Sequence, residues 1–148
     1  MLLRQDRAML AVTVMLEVGF YGSRSVTVSA ADLAELLGLA RRGMEPLLQA
    51  LSRAGLLDSA RGPRGGYRLG RSARDIRLID ILAAAQEEAE TADLPAGALT
   101  GAVVAPLWAE MEAALAERFG ALTLDGLLRR ATDAGLVRPA PEPISFAI

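Results

Sequence analysis

The segment Arg61-Gly62-Pro63-Arg64-Gly65-Gly66, set between Leu56-Leu57 and Tyr67-Arg68-Leu69, constrains this chain more than any other feature. An apolar start, a Gly-rich turn and an alternating return read as a β-hairpin. Glycine lets such a turn adopt positive φ and lets its backbone approach another surface closely. The hairpin is also basic: Arg61, Arg64, Arg68, Arg71, Arg74 and Arg77 fall in one short stretch, with Asp75 as its one acid.

What precedes the hairpin narrows the fold. Ser29 with Asp32 three residues on has the pattern of a capping box, which starts a helix. Leu33, Leu36 and Leu37 form the apolar face of that helix, and Gly38 is its expected C-terminal stop. A second helix runs from Arg41 or Arg42 to Arg53, with Met44, Leu47, Leu48 and Leu51 at helical spacing. Pro46 is tolerated in a first turn, which sets the expected start near residues 42–45. Gly55 closes this helix. Two short helices joined around a glycine make a helix-turn-helix candidate. A basic hairpin directly after them makes it a winged helix. Upstream, residues 4–19 read as a helix with Met9, Val12, Leu16 and Phe20 on one face, broken by Gly19 and Gly22. Val26-Thr27-Val28 reads as a short extended stretch.

Composition supports an α-rich fold and excludes most chemistry. The chain has 148 residues, enough for one buried core, and is 52% apolar with mean hydropathy +0.30, so it is not a disordered tail. Aromatic residues make up only 4%, which leaves Leu, Ala, Val and Met to build the core. There is no Cys and no His. That removes disulfides, thiolate and imidazole metal ligands, Cys nucleophiles and His-based triads. No calcium-loop spacing occurs, and Gly62–Gly66 lacks the Lys-Ser/Thr of a phosphate-binding loop. Neither an enzyme nor a cofactor is expected.

The net charge of −2 divides unevenly. Residues 1–80 hold 12 Arg against 8 acids, and residues 81–148 hold 4 Arg against 10 acids. A basic binding end and an acidic regulatory or assembly end follow from that split. The longest uncharged run, Leu94 to Ala109, contains two prolines and is shorter than the roughly 20 residues a membrane helix needs. The apolar run Ala8 to Leu16 is flanked by Asp6 and Glu17 and is not followed by a leader-cleavage pattern. A cytoplasmic protein with no membrane partner is the expectation.

Four regions are expected along the chain: a winged-helix unit (1–86), a linker loop (87–101), a long helix with a terminal helix (102–135), and an extended, Pro-bearing tail (136–148). The winged-helix unit ends in a short helix over 76–86, with Ile76, Leu78, Ile79 and Leu82 inward. The long helix, Ala102 to Phe119, carries an apolar stripe of Val104, Leu107, Trp108, Met111, Leu115 and Phe119. Thr123 caps the terminal helix, whose inward residues are Leu124, Leu127, Leu128 and Ala131.

Duplex DNA is the partner these residues suit. Arg41 and Arg42 open the second helix of the helix-turn-helix, the end that enters the major groove. A guanidinium there can grip guanine O6 and N7 or hold a phosphate. Glu45 can accept from cytosine N4 or interact with the helix N-terminus. Arg61 and Arg64 at the hairpin tip suit a narrow minor groove or the backbone. Arg68, Arg71, Arg74 and Arg77 read as solvated or structural, with phosphate contact as the alternative, Tyr67 as wing packing, and Trp108 as core or dimer interface. An alternative is a winged helix used as a protein-interaction or adaptor module without specific DNA binding.

The run Ala54-Gly55-Leu56-Leu57 through Arg61-Gly62-Pro63-Arg64-Gly65-Gly66-Tyr67-Arg68-Leu69 resembles the Rrf-two family of bacterial winged-helix regulators. The family's mark is A-G-L after the recognition helix, then R-G-x-x-G-G-Y-x-L in the wing. The resemblance extends over residues 1–135. It implies a homodimer held by the long helix, through Val104, Leu107, Trp108, Met111, Leu115 and Phe119, on pseudo-palindromic promoter DNA; a repressor is the expected role, with an activator as the alternative. It places DNA contacts on Arg42, Gly43, Glu45 and Arg61; Gly43 departs from the aromatic residue frequent there. Family members that carry an iron–sulfur cluster hold it with three Cys near the region of residues 90–102, which has none here. Cluster sensing is therefore not expected, and the effector, a small molecule or a protein, is open.

Overall fold

A computed structural model describes residues 5–86 and 95–139. Among these residues, six α-helices and one two-stranded antiparallel sheet follow in the order α1 (Gln5–Tyr21), α2 (Ala30–Leu37), α3 (Arg41–Arg53), β1 (Leu57–Ala60), β2 (Gly66–Leu69), α4 (Leu78–Gln86), α5 (Ala105–Phe119) and α6 (Leu124–Asp133). The architecture is the mostly α winged helix-turn-helix with a long C-terminal helix that the sequence implies. The expected linker is described only from Pro95, and the expected tail only to Pro139; the rest of both lies outside the described residues.

Local chemistry sets the helix-turn-helix. The Ser29 hydroxyl accepts from the Asp32 amide at 3.0 Å, and the Asp32 carboxylate accepts from the Ser29 amide at 3.1 Å. This capping box satisfies two amides that the first turn of α2 would otherwise leave free. Gly38, at φ 62°, ends α2 in the left-handed conformation that costs glycine nothing. In α3, Met44, Leu47, Leu48, Ala50 and Leu51 are buried, so the expected face is the core face.

The core joins every helix except α5. Val14, Met15 and Val18 of α1 meet Leu33 of α2, Met44, Leu48 and Leu51 of α3, Ile81 of α4 and Leu124 of α6. α1 runs through the middle, packed on α4, α6 and β2. Its core face is Ala11, Val14, Met15 and Val18; of the expected stripe Phe20 is buried, Val12 and Leu16 are half-buried against the core, and Met9 is 59% exposed. Nearly every residue from Ala8 to Leu16 is apolar, so spacing alone cannot select a face; packing on α4 and α6 does.

Three other expectations need correction. Pro46 is the sixth residue of α3 and not in its first turn, because the helix begins at Arg41. The proline lacks the N–H that would reach the Arg42 carbonyl, and it sits on an exposed face where water can take that carbonyl instead. Ile76 is buried as expected but precedes α4 in an extended segment. There Leu78 N–H donates to Leu122 O at 2.9 Å and Leu124 N–H to Ile76 O at 2.8 Å, which fastens α6 to the entry of α4. Finally, residues Thr100–Val104 form a π-helical turn before α5. The Ala105 amide bonds back to Thr100 O, and Pro106, which has no N–H to donate, follows directly on that wider turn.

Candidate nucleic-acid interface

The hairpin pairs Leu57 with Leu69, Asp58 with Arg68, Ser59 with Tyr67 and Ala60 with Gly66, so Arg61–Gly65 make the tip. A third segment joins it. Val28 and Tyr67 exchange both backbone hydrogen bonds at 2.8 Å, and the Thr27 hydroxyl donates to Arg64 O at 2.8 Å. The extended stretch at 26–28 thus docks on the wing just before it enters α2. Close docking explains Gly66: a Cβ there would lie 2.8 Å from the Val28 carbonyl. At Gly65 a Cβ would meet Ala60 O at 2.6 Å.

Arg41, Arg42, Gly43 and Glu45 all lie exposed on the first turns of α3. Nothing stands within 4 Å of a Cβ built on Gly43, so this surface is open. Ala40, the residue before α3, supplies no side-chain cap, and the first turn holds no acid. The amide end of the helix therefore presents its partial positive charge outward, beside two guanidiniums. Arg41 Nε lies 3.8 Å from Glu45 Oε1 in an exposed pair. Such a pair contributes little to stability, roughly 0.3–0.5 kcal/mol, and leaves both groups available to a ligand. Arg61 and Arg64 are exposed at the wing tip. The 26–28 segment, bonded to the wing at Tyr67 and Arg64, leads directly into α2, which packs on α3.

The other arginines divide. Arg68 holds Asp58 across the ladder with Nε and Nη2 bonds of 2.9 and 2.8 Å, so it is structural. That pairing was open to counting outward from the turn, since Asp58 and Arg68 are equidistant from it. Arg71 reaches the Ala54 carbonyl at 3.4 Å. Tyr67 packs on the core as expected. Thr27 and Val28, which hold the wing, carried only a strand-like signal and no sign of their partner.

The long helix has different geometry. None of the residues of α5 is buried. Val104, Leu107, Trp108, Leu115 and Phe119 are each at least 36% exposed, and Met111 is half-buried. Leu115 and Phe119 also line an apolar cleft of about 590 Å³ with Met9, Val12, Leu78 and Leu82.

The sequence profile of the Rrf2 family, described as "Iron-dependent Transcriptional regulator", matches residues 4–130. The chain belongs to the Rrf2 (Rrf-two) family of transcriptional regulators. Among its Rrf2 relatives is the HTH-type transcriptional regulator IscR of Vibrio atlanticus, 34% identical over 125 residues that span 80% of this chain and 70% of that protein. The IscR of Photobacterium profundum is 34% identical over 125 residues that span 80% of this chain and 71% of that protein. Of solved Rrf2-like structures, CymR, the global cysteine regulator of B. subtilis, aligns with TM-score 0.68 and 28% identity over 88% of this chain and 98% of that one. T. potens IscR aligns with TM-score 0.64 and 27% identity over 90% and 89%.

Iron appears in the family's description, and this chain lacks the cysteines and histidines that could hold it through sulfur or imidazole. Among the described residues, no three carboxylates converge to hold a metal ion. Among the same residues, no helix is long and apolar enough to cross a membrane.

Proposed function

We propose that this Rrf2 chain is a homodimeric repressor that binds a pseudo-palindromic promoter site without an iron–sulfur cluster. The observation that carries the DNA reading is the pairing of an uncapped, Arg-bearing helix start with an Arg-bearing wing tip held in place by Thr27 and Val28. Arg42, with Arg41 beside it, reads bases in the major groove; Gly43 lets the backbone approach; Glu45 accepts from cytosine. Arg61 and Arg64 enter the adjacent minor groove or hold its phosphates.

Dimerisation draws on the exposed stripe of α5. A helix with Leu107, Trp108, Leu115 and Phe119 in water is unfavourable, and a second copy removes that surface at roughly 25 cal/mol per Å². A two-fold axis through α5 turns one recognition helix into two, about 34 Å apart, which requires an inverted repeat in the DNA. The region 1–86 then reads DNA, and 102–135 assembles the dimer. The absence of thiolate and imidazole ligands supports cluster independence. DNase footprinting on the DNA upstream of the chain's own gene tests the proposal. Two protected half-sites one helical turn apart, centred on an inverted repeat and unchanged by iron chelators, are expected. A single unpaired footprint, or protection that requires iron, contradicts it.

A further inference from the structure

An open cleft of about 520 Å³ lies at the base of the wing, where the end of α1 meets the segment leaving β2. Val18 and Leu69 give it apolar lining, Arg24, Arg68, Arg71 and Ser72 give it polar lining, and among the described residues no acid lines it. Arg68 is already bound to Asp58. Arg24 is exposed and has no hydrogen-bond or ion-pair partner among the described residues. The bond of Arg71 to Ala54 O, at 3.4 Å, is long and leaves most of that guanidinium's five donors free. The cleft thus presents two guanidiniums that no carboxylate among the described residues neutralises, beside a serine hydroxyl. That donor set matches a phosphoryl oxyanion, which guanidinium forks bind bidentately.

The location separates this cleft from the DNA-reading surface. Arg71 touches the C-terminal end of α3, which at 1.5 Å per residue lies about 18 Å from Arg41 at its start. The Leu57–Leu69 pair at the base of the wing stands three ladder steps from Ala60–Gly66, about 10 Å below the tip. A phosphate gripped by the start of α3 and the wing tip does not reach the cleft.

We propose that this cleft binds a small free phosphoryl anion through Arg24 and Arg71. Such an anion pins the segment between α1 and α2, which carries Thr27 and Val28, to the segment leaving the wing. It therefore changes how firmly the wing is held. That consequence for DNA affinity rests on the DNA-binding reading above, whereas anion binding does not.

Calorimetric titration of the full chain with inorganic pyrophosphate, against sodium chloride at matched ionic strength, tests the site without DNA. Saturable binding is expected, weakened about ten-fold or more, near 1.4 kcal/mol, by Arg24→Gln with Arg71→Gln. Arg24→Gln alone, at an exposed and unpartnered residue, should weaken it several-fold with an unchanged melting temperature. Arg61→Gln with Arg64→Gln should leave it intact. Absence of saturable binding, equal affinity in the Arg24/Arg71 variant, or loss in the wing-tip variant overturns the site. A DNA arm separates the two phosphate sources. The Arg24/Arg71 variant should keep the wild-type salt slope, and a slope lowered by about 0.9 per arginine would assign the pair to the DNA backbone and overturn the proposal.

Discussion

The Thr27 hydroxyl donates a hydrogen bond of 2.8 Å to the Arg64 carbonyl, across 37 positions of sequence. With the Val28–Tyr67 pair beside it, this bond makes the wing tip part of the helix-turn-helix and not a free hairpin. A two-stranded hairpin alone is marginal in water. The third segment adds to the packing of β1 on α3 and of β2 on α1 in placing Arg61 and Arg64.

Thr27→Val keeps the shape and removes the bond. Stability should fall by about 1 kcal/mol or less, because the bond is exposed. Affinity for promoter DNA should fall by roughly three- to ten-fold as the tip loosens, an estimate from the same bond energy. Fluorescence anisotropy with a labelled duplex measures it, and unchanged affinity would detach the tip from recognition.

Arginine substitutions should divide by role. Arg42→Ala should cost about 1–3 kcal/mol on the cognate site and much less on a scrambled duplex. Arg61→Ala and Arg64→Ala should weaken binding to both, and each should lower the salt slope by about 0.9 if it holds a phosphate. Anisotropy titrations at several salt concentrations separate these outcomes.

Two glycines should respond in opposite directions. At Gly66 an added Cβ meets the Val28 carbonyl at 2.8 Å and the Ser29 amide at 3.0 Å, all backbone atoms that cannot swing aside. Gly66→Ala should destabilise by about 1–3 kcal/mol. Gly43 has an open surface and sits in a helix, so Gly43→Ala should stabilise by up to about 1 kcal/mol. Urea denaturation of the two variants tests both signs.

Charge on α5 should separate assembly from folding. Leu107→Glu with Trp108→Glu touches no buried residue of the lone chain. Sedimentation velocity should show half the wild-type mass, while far-ultraviolet circular dichroism stays unchanged. A variant that remains dimeric would remove α5 from the interface.

Partial burial raises the Glu17 carboxyl above its ordinary range. The folded chain therefore holds this proton more tightly than the unfolded one, so the ionised group weakens folding as pH rises through the raised value. Glu17→Gln should increase the melting temperature at pH 7, and the gain should shrink as pH falls and vanish well below the ordinary carboxyl range of about 4.3, where both states are protonated. A pH series of melting curves checks it; a gain constant across pH would mean that the charge is not the cause.

Features decided within a few residues were legible in the sequence. The Ser29–Asp32 box, the Gly38 stop, the Thr123 cap and the inner face of α3 needed only local rules. Features decided by distant contacts were not. The face of α1 is chosen by α4 and α6, because Ala8 to Leu16 is apolar almost all round. Pro46 looked like a first-turn marker, yet α3 keeps it in the second turn because core packing of Met44, Leu47 and Leu48 outweighs one missing bond. In the candidate interface the arginines were visible as types, and the Thr27 tie that positions one of them was not.

Salt-dependent binding to the chain's own promoter tests the account most directly. Anisotropy titrations would compare the inverted-repeat duplex with a scrambled duplex of equal length. Affinity for the inverted repeat should be at least about 1,000-fold tighter at physiological salt, with both affinities falling steeply as salt rises. Equal affinity for the two duplexes, or no binding to either, would contradict it.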